Sequence, residues 1–318
     1  MNSQLVNDNS HSSGKETGRN LLCEILTFWS VFAICTLGNL LIMILLSERF
    51  LIPLSAYIID TSSPGDSTAI INAVLSLPCF PILILFSTTA TIAVVILFCK
   101  LIQRRSWNSI GLSRKHAFSH YVRGYFFGGI AISVAVAVCV VTGAGSFVDF
   151  DHAPFSIIAL FLIGYLIQGA SEELLCRGYF MYSVARRYPM WIAVVSSSVL
   201  FALLHMPNNG VSINAFLNLF LFGVFTALLT LRTGSIWYAS GFHSAWNFFQ
   251  GNLYGIKVSG MDMHGSLLSF ISNPSKTYLN GGDFGMEGGF LCTALLIVGI
   301  FILLRTAGRN VHTTDRKT

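Results

Sequence analysis

Apolar runs separated by short charged connectors divide the chain into eight stretches with the composition of membrane-crossing helices. They cover about Leu22–Leu46, Pro81–Cys99, Tyr125–Val141, a run beginning near Phe155, Trp191–His205, Ile213–Leu231, Ser235–Gln250 and Phe290–Leu304. Several lie near or below the ~20 residues that a helix needs to cross ~30 Å of hydrocarbon, the fifth and seventh above all. The pattern predicts an all-α fold, a polytopic transmembrane helical bundle of about eight spans.

Composition supports that class. Of 318 residues 53% are hydrophobic and only 10% are charged, against roughly 25% charged in a soluble domain. So little charge excludes a water-facing globule, a disordered chain and a coiled coil. Seven cysteines are too sparse for a disulfide scaffold and read as small buried hydrophobes.

The charges that exist set a topology. Lys100, Arg104, Arg105, Arg114, Lys115 and Arg123 lie between spans two and three; Arg186 and Arg187 follow span four, Arg232 span six, and Arg305, Arg309, Arg316 and Lys317 span eight. The other connections carry Asp60 and Asp66, Asp149 and Asp151, or Asp262, Asp283 and Glu287. Basic segments stay cytoplasmic, so both termini are expected there. The net charge of +5 then points to anionic lipid heads and not to nucleic acid. The chain divides into a polar tail expected to be disordered (1–19), spans one to three (20–145), a core of spans four to seven (146–252), and a Gly-rich extracytoplasmic loop with the last span and basic tail (253–318). The first span, with Glu24 at its headgroup edge, reads as an uncleaved anchor.

Ionisable groups inside spans cost ~2.5–3.5 kcal/mol each at mid-helix, and the set here is small. Span four holds Glu172, Glu173 and Arg177, span five His205, and span seven His243 with Asn247. The remaining histidines, His11, His116, His120, His152, His264 and His312, fall in loops or tails. Glu173 and Arg177 are four apart and can pair along one helix face, which leaves Glu172 ~100° away to face another neighbour. Glu172 and His205 are equidistant from the Tyr188-Pro189 bond, an expected turn. An antiparallel hairpin places both ~24 Å from its tip, whereas His243 stands ~13 Å beyond the Arg232-Thr233-Gly234 turn. The levels match if the four–five hairpin protrudes ~10 Å into the cytoplasm. Each residue also has a plainer explanation: a satisfied Glu173–Arg177 seam, an interfacial His205, or Asn247 as interhelical glue. Two carboxylates, two imidazoles and an amide at one depth are harder to explain that way.

A carboxylate beside imidazoles in a low-dielectric site can act as a general base. Glu172 would take a proton from water that His205 orients, and His243 with Asn247 would stabilise the oxyanion formed at a peptide carbonyl. The same Glu172, His205 and His243 with an open fourth position would also suit a catalytic zinc ion. Spacing leaves both mechanisms open.

Glu172-Glu173-Leu-Leu-Cys-Arg177, Phe201-Ala-Leu-Leu-His205 and His243-Ser-Ala-Trp-Asn247 resemble, in order, the EExxxR, FxxxH and HxxxN motifs of the CAAX-prenyl-protease-2 and bacteriocin-processing (CPBP, or Abi) family. The resemblance covers about Phe155 to Gln250, with Trp107–Leu112 a looser echo. It implies a multi-pass intramembrane endopeptidase in which Glu172 activates water, His205 is its partner, His243 and Asn247 form the oxyanion side, and Glu173 and Arg177 support them. The family has been read both as metalloproteases and as glutamate-dependent enzymes without metal, so no cofactor is required and Zn2+ is the alternative. The expected partners are membrane lipids and a membrane-tethered protein or peptide, lipidated or exported. The expected location is a bacterial cell membrane, with the endoplasmic reticulum as the alternative. Two other functions compete: a proton-coupled transporter using the same Glu/His relay, and a non-catalytic immunity or scaffold protein. Missing paired broken helices count against the transporter.

Overall fold

The computed structural model describes residues 20–61, 79–150 and 153–314. The tail 1–19 that was expected to be disordered lies outside them, as does His152. The described chain is a helical membrane bundle. Its main helices are α1 (Leu21–Thr61), α2 (Cys79–Ser87), α3 (Thr89–Leu97), α4 (Ala117–Val141), α5 (Phe155–Glu173), α6 (Tyr182–Ala185), α7 (Met190–Leu204), α8 (Ile213–Thr233), α9 (Trp237–Phe248), α10 (Thr277–Asn280) and α11 (Phe290–Thr314). Among the described residues five helical segments are long and apolar enough to cross a membrane: Leu21–Glu48, Cys79–Ile102, Ala117–Val141, Phe155–Ala185 and Ile213–Thr233. Met190–Leu204 and Phe290–Thr306 are shorter apolar helices.

The seventh predicted span is short and largely enclosed. α9 has only 12 residues, and Ala239 through Asn247 are all buried. With the π-helical Phe249–Leu253 that continues it the run reaches 17 residues, ~25 Å, and its middle is wrapped by neighbouring helices. That placement keeps His243 and Asn247 away from lipid. α9 lies tightly on α4 because glycines remove the side chains between them. A Cβ on Gly128 would stand 2.3 Å from the Phe242 carbonyl oxygen, and one on Gly241 would stand 2.1 Å from that of Tyr121. Small residues at such crossings let backbones approach, and dispersion replaces the missing hydrophobic drive between helices in lipid.

Local chemistry ends the helices where the sequence signals it. The Ser212 hydroxyl accepts from the Ala215 N–H at 3.1 Å and caps α8, and Gly234 closes that helix in the left-handed region at φ 70°. Pro189 turns the chain between α6 and α7. Between α5 and α6, residues Leu174–Met181 are wound as a π-helix, so Phe155 to Ala185 runs without a break. The Arg105 guanidinium, from the connector after α3, donates to the Gly178 and Tyr179 carbonyls of this widened stretch and to the Ser183 hydroxyl.

The tip of the hairpin between α5 and α7 is held by contacts to the first helix. Gly111 lies against both Ile236, just before α9, and the ring of Tyr182. Six further residues lead from Tyr182 to Tyr188. There the Tyr188 hydroxyl accepts from the Leu21 N–H at 2.8 Å, and Arg187 pairs with Glu24. Glu24 is therefore buried in an ion pair in the first turn of α1.

One feature modifies the all-α expectation. β1 (Gly145–Phe150) and β2 (Leu268–Ser272) form a two-stranded antiparallel sheet, with Phe147 opposite Phe270. Partners more than a hundred residues apart leave no local periodicity to read. The sheet ties the end of α4 to the Gly-rich loop 254–289. Gly128→Val is expected to cost about 1–3 kcal/mol by overpacking α4 against α9. The unfolding midpoint in detergent should fall for this variant and stay unchanged for Val141→Ala, whose parent side chain is 86% exposed.

Candidate active site

The polar residues of spans four, five and seven meet around the last turn of α5. Glu173 is fully buried and its Oε1 accepts twice, from Arg177 Nη1 at 3.2 Å and from His243 Nδ1 at 3.1 Å. Arg177 is equally buried, and its guanidinium lies 4.5 Å from the Phe201 ring centroid. Phe201 also packs on His205, centroids 4.7 Å apart, and edge-on to His243 at 5.9 Å. The aromatic position of the second motif is thus a spacer touching a cation and two imidazoles.

Glu172, on the adjoining face, points elsewhere. Its Oε2 stands 3.9 Å from His205 Nε2 and 3.7 Å from His243 Nε2, and has no hydrogen-bond partner among the described residues. The far nitrogens fix both tautomers. His205 Nδ1 lies 2.8 Å from the Phe201 carbonyl, which only accepts, and His243 Nδ1 faces the Glu173 carboxylate. Each Nδ1 therefore carries a proton, and each Nε2 faces Glu172. Two imidazoles and a carboxylate oxygen around one point suit a water, a proton or a cation between them.

Asn247 does not touch Glu172. Its Nδ2 donates to Gln168 Oε1 at 3.1 Å, and Gln168 Nε2 donates to Glu172 Oε1 at 2.6 Å. Gln168 was not among the expected site residues, yet it had a signal: it lies four before Glu172, on the same helix face. The cavity beside Glu172 and His205 has a volume of about 230 Å³. Its walls include Phe32 and Leu85 from the first two spans and Ser259 and Met261 from the Gly-rich loop. That loop supplies a third carboxylate. Glu287 is buried in a small adjoining space shared with His205, His243 and Asn247. Burial pushes its carboxyl up to about 7, against the lowering effect of Ser259, Gln250 and His243. No local pattern marks Glu287, which occupies a glycine-rich segment without periodicity.

Residues 154–249 match the family model described as Rce1-like, type II CAAX prenyl endopeptidase. None of the curated proteins and none of the solved structures matches the chain.

The Glu287 shift has a thermodynamic consequence. With its folded value near 7 and its ordinary value at 4.5, the carboxyl's contribution to stability is full below 4.5 and is lost as pH rises through 7. Glu287→Gln should equal the wild type near pH 4.5 and gain stability relative to it up to about pH 7.5. Melting curves of both proteins across that range check the sign.

Proposed function

We propose that this chain, whose residues 154–249 match the Rce1-like family model, is a CPBP-type intramembrane protease that hydrolyses peptide bonds of membrane-associated substrates with water activated at Glu172. The observation that carries the proposal is Glu172 Oε2 standing 3.9 Å from His205 Nε2 and 3.7 Å from His243 Nε2 at the wall of the cavity. A water held there donates one hydrogen to Glu172 and the other to an imidazole. Glu172 takes the proton as the water oxygen attacks the carbonyl carbon, and later returns it to the leaving amine. His205 orients the water through Nε2. A proton taken up from solvent at His243 Nε2 before the attack, and given back after it, lets His243 donate to the developing oxyanion. Glu173, held by Arg177, stabilises that imidazolium at Nδ1, as a carboxylate behind a catalytic histidine does. Asn247 keeps one amide hydrogen for the oxyanion side while the other holds Gln168, which orients Glu172.

A zinc reading has a specific observation of its own. The donor set of Glu172, His205 and His243 suits zinc, and both imidazoles are backed on their far nitrogens, as metal-bound histidines are. Among the described residues, however, no group of three His, Cys, Asp or Glu stands as a ready metal centre. An ion bound there would supply Lewis-acid activation of the water.

The eight-span arrangement with both termini cytoplasmic completes the proposal, supported by Lys and Arg in every second connection. With a farnesylated reporter peptide in proteoliposomes, Glu172→Ala and His205→Ala should each lower kcat/KM by about 10²–10⁴. Turnover equal to wild type in both variants would defeat the assignment, and solute uptake without cleavage would favour a transporter. Chelator treatment separates the mechanisms: unchanged turnover supports activation by Glu172 alone, and loss restored by added zinc supports the metal.

A further inference from the structure

The Gly-rich loop reaches the cavity through one tight turn. Val258 and Met261 exchange N–H···O bonds, each 2.9 Å, and the two residues between them both have positive φ, Ser259 at 47° and Gly260 at 83°. Such a turn requires left-handed backbone at both central positions, which glycine adopts freely and serine does not. A serine in that conformation persists only where its surroundings over-determine it. Here they do. The Ser259 N–H donates to Glu287 Oε2 at 2.6 Å and its hydroxyl donates to the same oxygen at 3.0 Å. Its carbonyl accepts from Asn208 Nδ2 at 2.9 Å, from the segment just after α7 and His205. Glu287 is itself anchored, since Asn218 on α8 donates through Nδ2 to its carbonyl at 2.7 Å. Ser259 lines both the cavity beside Glu172 and the space that contains His243 and Asn247.

We infer that Glu287 is a positioning residue of the peptidase: by clamping Ser259 it sets the 258–261 turn as the cavity wall against which the substrate backbone lies beside Glu172 and His205. The inference rests on the peptidase reading of that cavity. Glu287 lies outside the segment matched by the family model and enters no step of the hydrolysis. Its action passes through the backbone of Ser259, so the clamp matters for where the chain is held and cut, not for proton transfer.

The experiment uses the full chain in proteoliposomes with the farnesylated reporter peptide, reading kcat, KM and, by mass spectrometry, the bond cleaved. Glu287→Ala is expected to raise KM about tenfold with kcat little changed, the loss of roughly one well-made hydrogen bond in substrate placement, and to spread cleavage over neighbouring bonds. Glu287→Gln keeps an acceptor for Ser259 and should stay near wild type. Glycine holds the left-handed backbone without a clamp, so adding Ser259→Gly to Glu287→Ala should restore KM and the single cleavage position. A merely structural role for Glu287 would not respond to that second change. Unchanged KM and cleavage position in Glu287→Ala overturn the inference, as does a loss confined to kcat that Ser259→Gly fails to repair. If Glu287→Ala does not fold, Glu287→Asp replaces it, with the same displacement of KM expected and the same null result decisive. Absence of cleavage by the wild type would defeat the peptidase reading itself, whereas normal wild-type cleavage with indifferent variants defeats this inference alone.

Discussion

A carboxylate inside a membrane protein has to be neutralised and enclosed, and Glu173 is where this bundle meets that requirement. Its Oε1 is shared by Arg177 and His243 with no exposure to solvent. An uncompensated buried charge costs several kcal/mol, so the three side chains hold spans four and seven together as one unit. The geometry around them follows. α9 is short and largely enclosed because its polar face cannot meet lipid. Gly128 and Gly241 bring α4 against it closely enough to seal that enclosure. Phe201 covers the Arg177 guanidinium from the α7 side.

Adjacent carboxylates thereby acquire opposite characters. Glu173 is paired through Oε1 with a cation and an imidazole N–H, whereas Glu172, one residue away and ~100° around the helix, turns its Oε2 toward the Nε2 atoms of two imidazoles. The same histidine touches both, Nδ1 on Glu173 and Nε2 toward Glu172. One side of the imidazole is therefore structural, and the other is available to water or substrate. Gln168 adds a second restraint on Glu172, linking it to Asn247 on α9.

The loop between α9 and α11 bounds this chemistry in space. Its backbone is held by amides of α8, Asn214 on Gly288 and Asn218 on both Glu287 and Gly289. The β1–β2 pair and the Lys276 ammonium on the Thr142 carbonyl fasten it to the end of α4. Asparagine side chains suit that task, because they satisfy loop carbonyls that have no helix or sheet partner of their own. The segment that carries the three motifs and the segment that walls the cavity are thus separate stretches of chain, joined by side-chain amides.

The convergence of Glu172, His205 and His243 was legible in the sequence, since helical rise and two turns bring them to comparable depths. Gln168 was legible in principle, four residues before Glu172 on one face. Glu173 contacting His243 was not, because the side of a neighbouring helix that a residue faces depends on how the helices rotate in packing. Asn247 reaching Gln168 instead of Glu172 has the same cause. Glu287, the Ser259 turn and the β1–β2 pair were invisible, because an aperiodic Gly-rich stretch carries no signal of where it lies. The amino-acid sequence by itself determined membrane residence, the helices and the depth of their few polar groups, all consequences of local hydropathy and 1.5 Å per residue. Only the tertiary structure decided which carboxylate is quenched, which nitrogen of each histidine is free, and what closes the cavity, since those depend on contacts between residues that are neighbours in space alone.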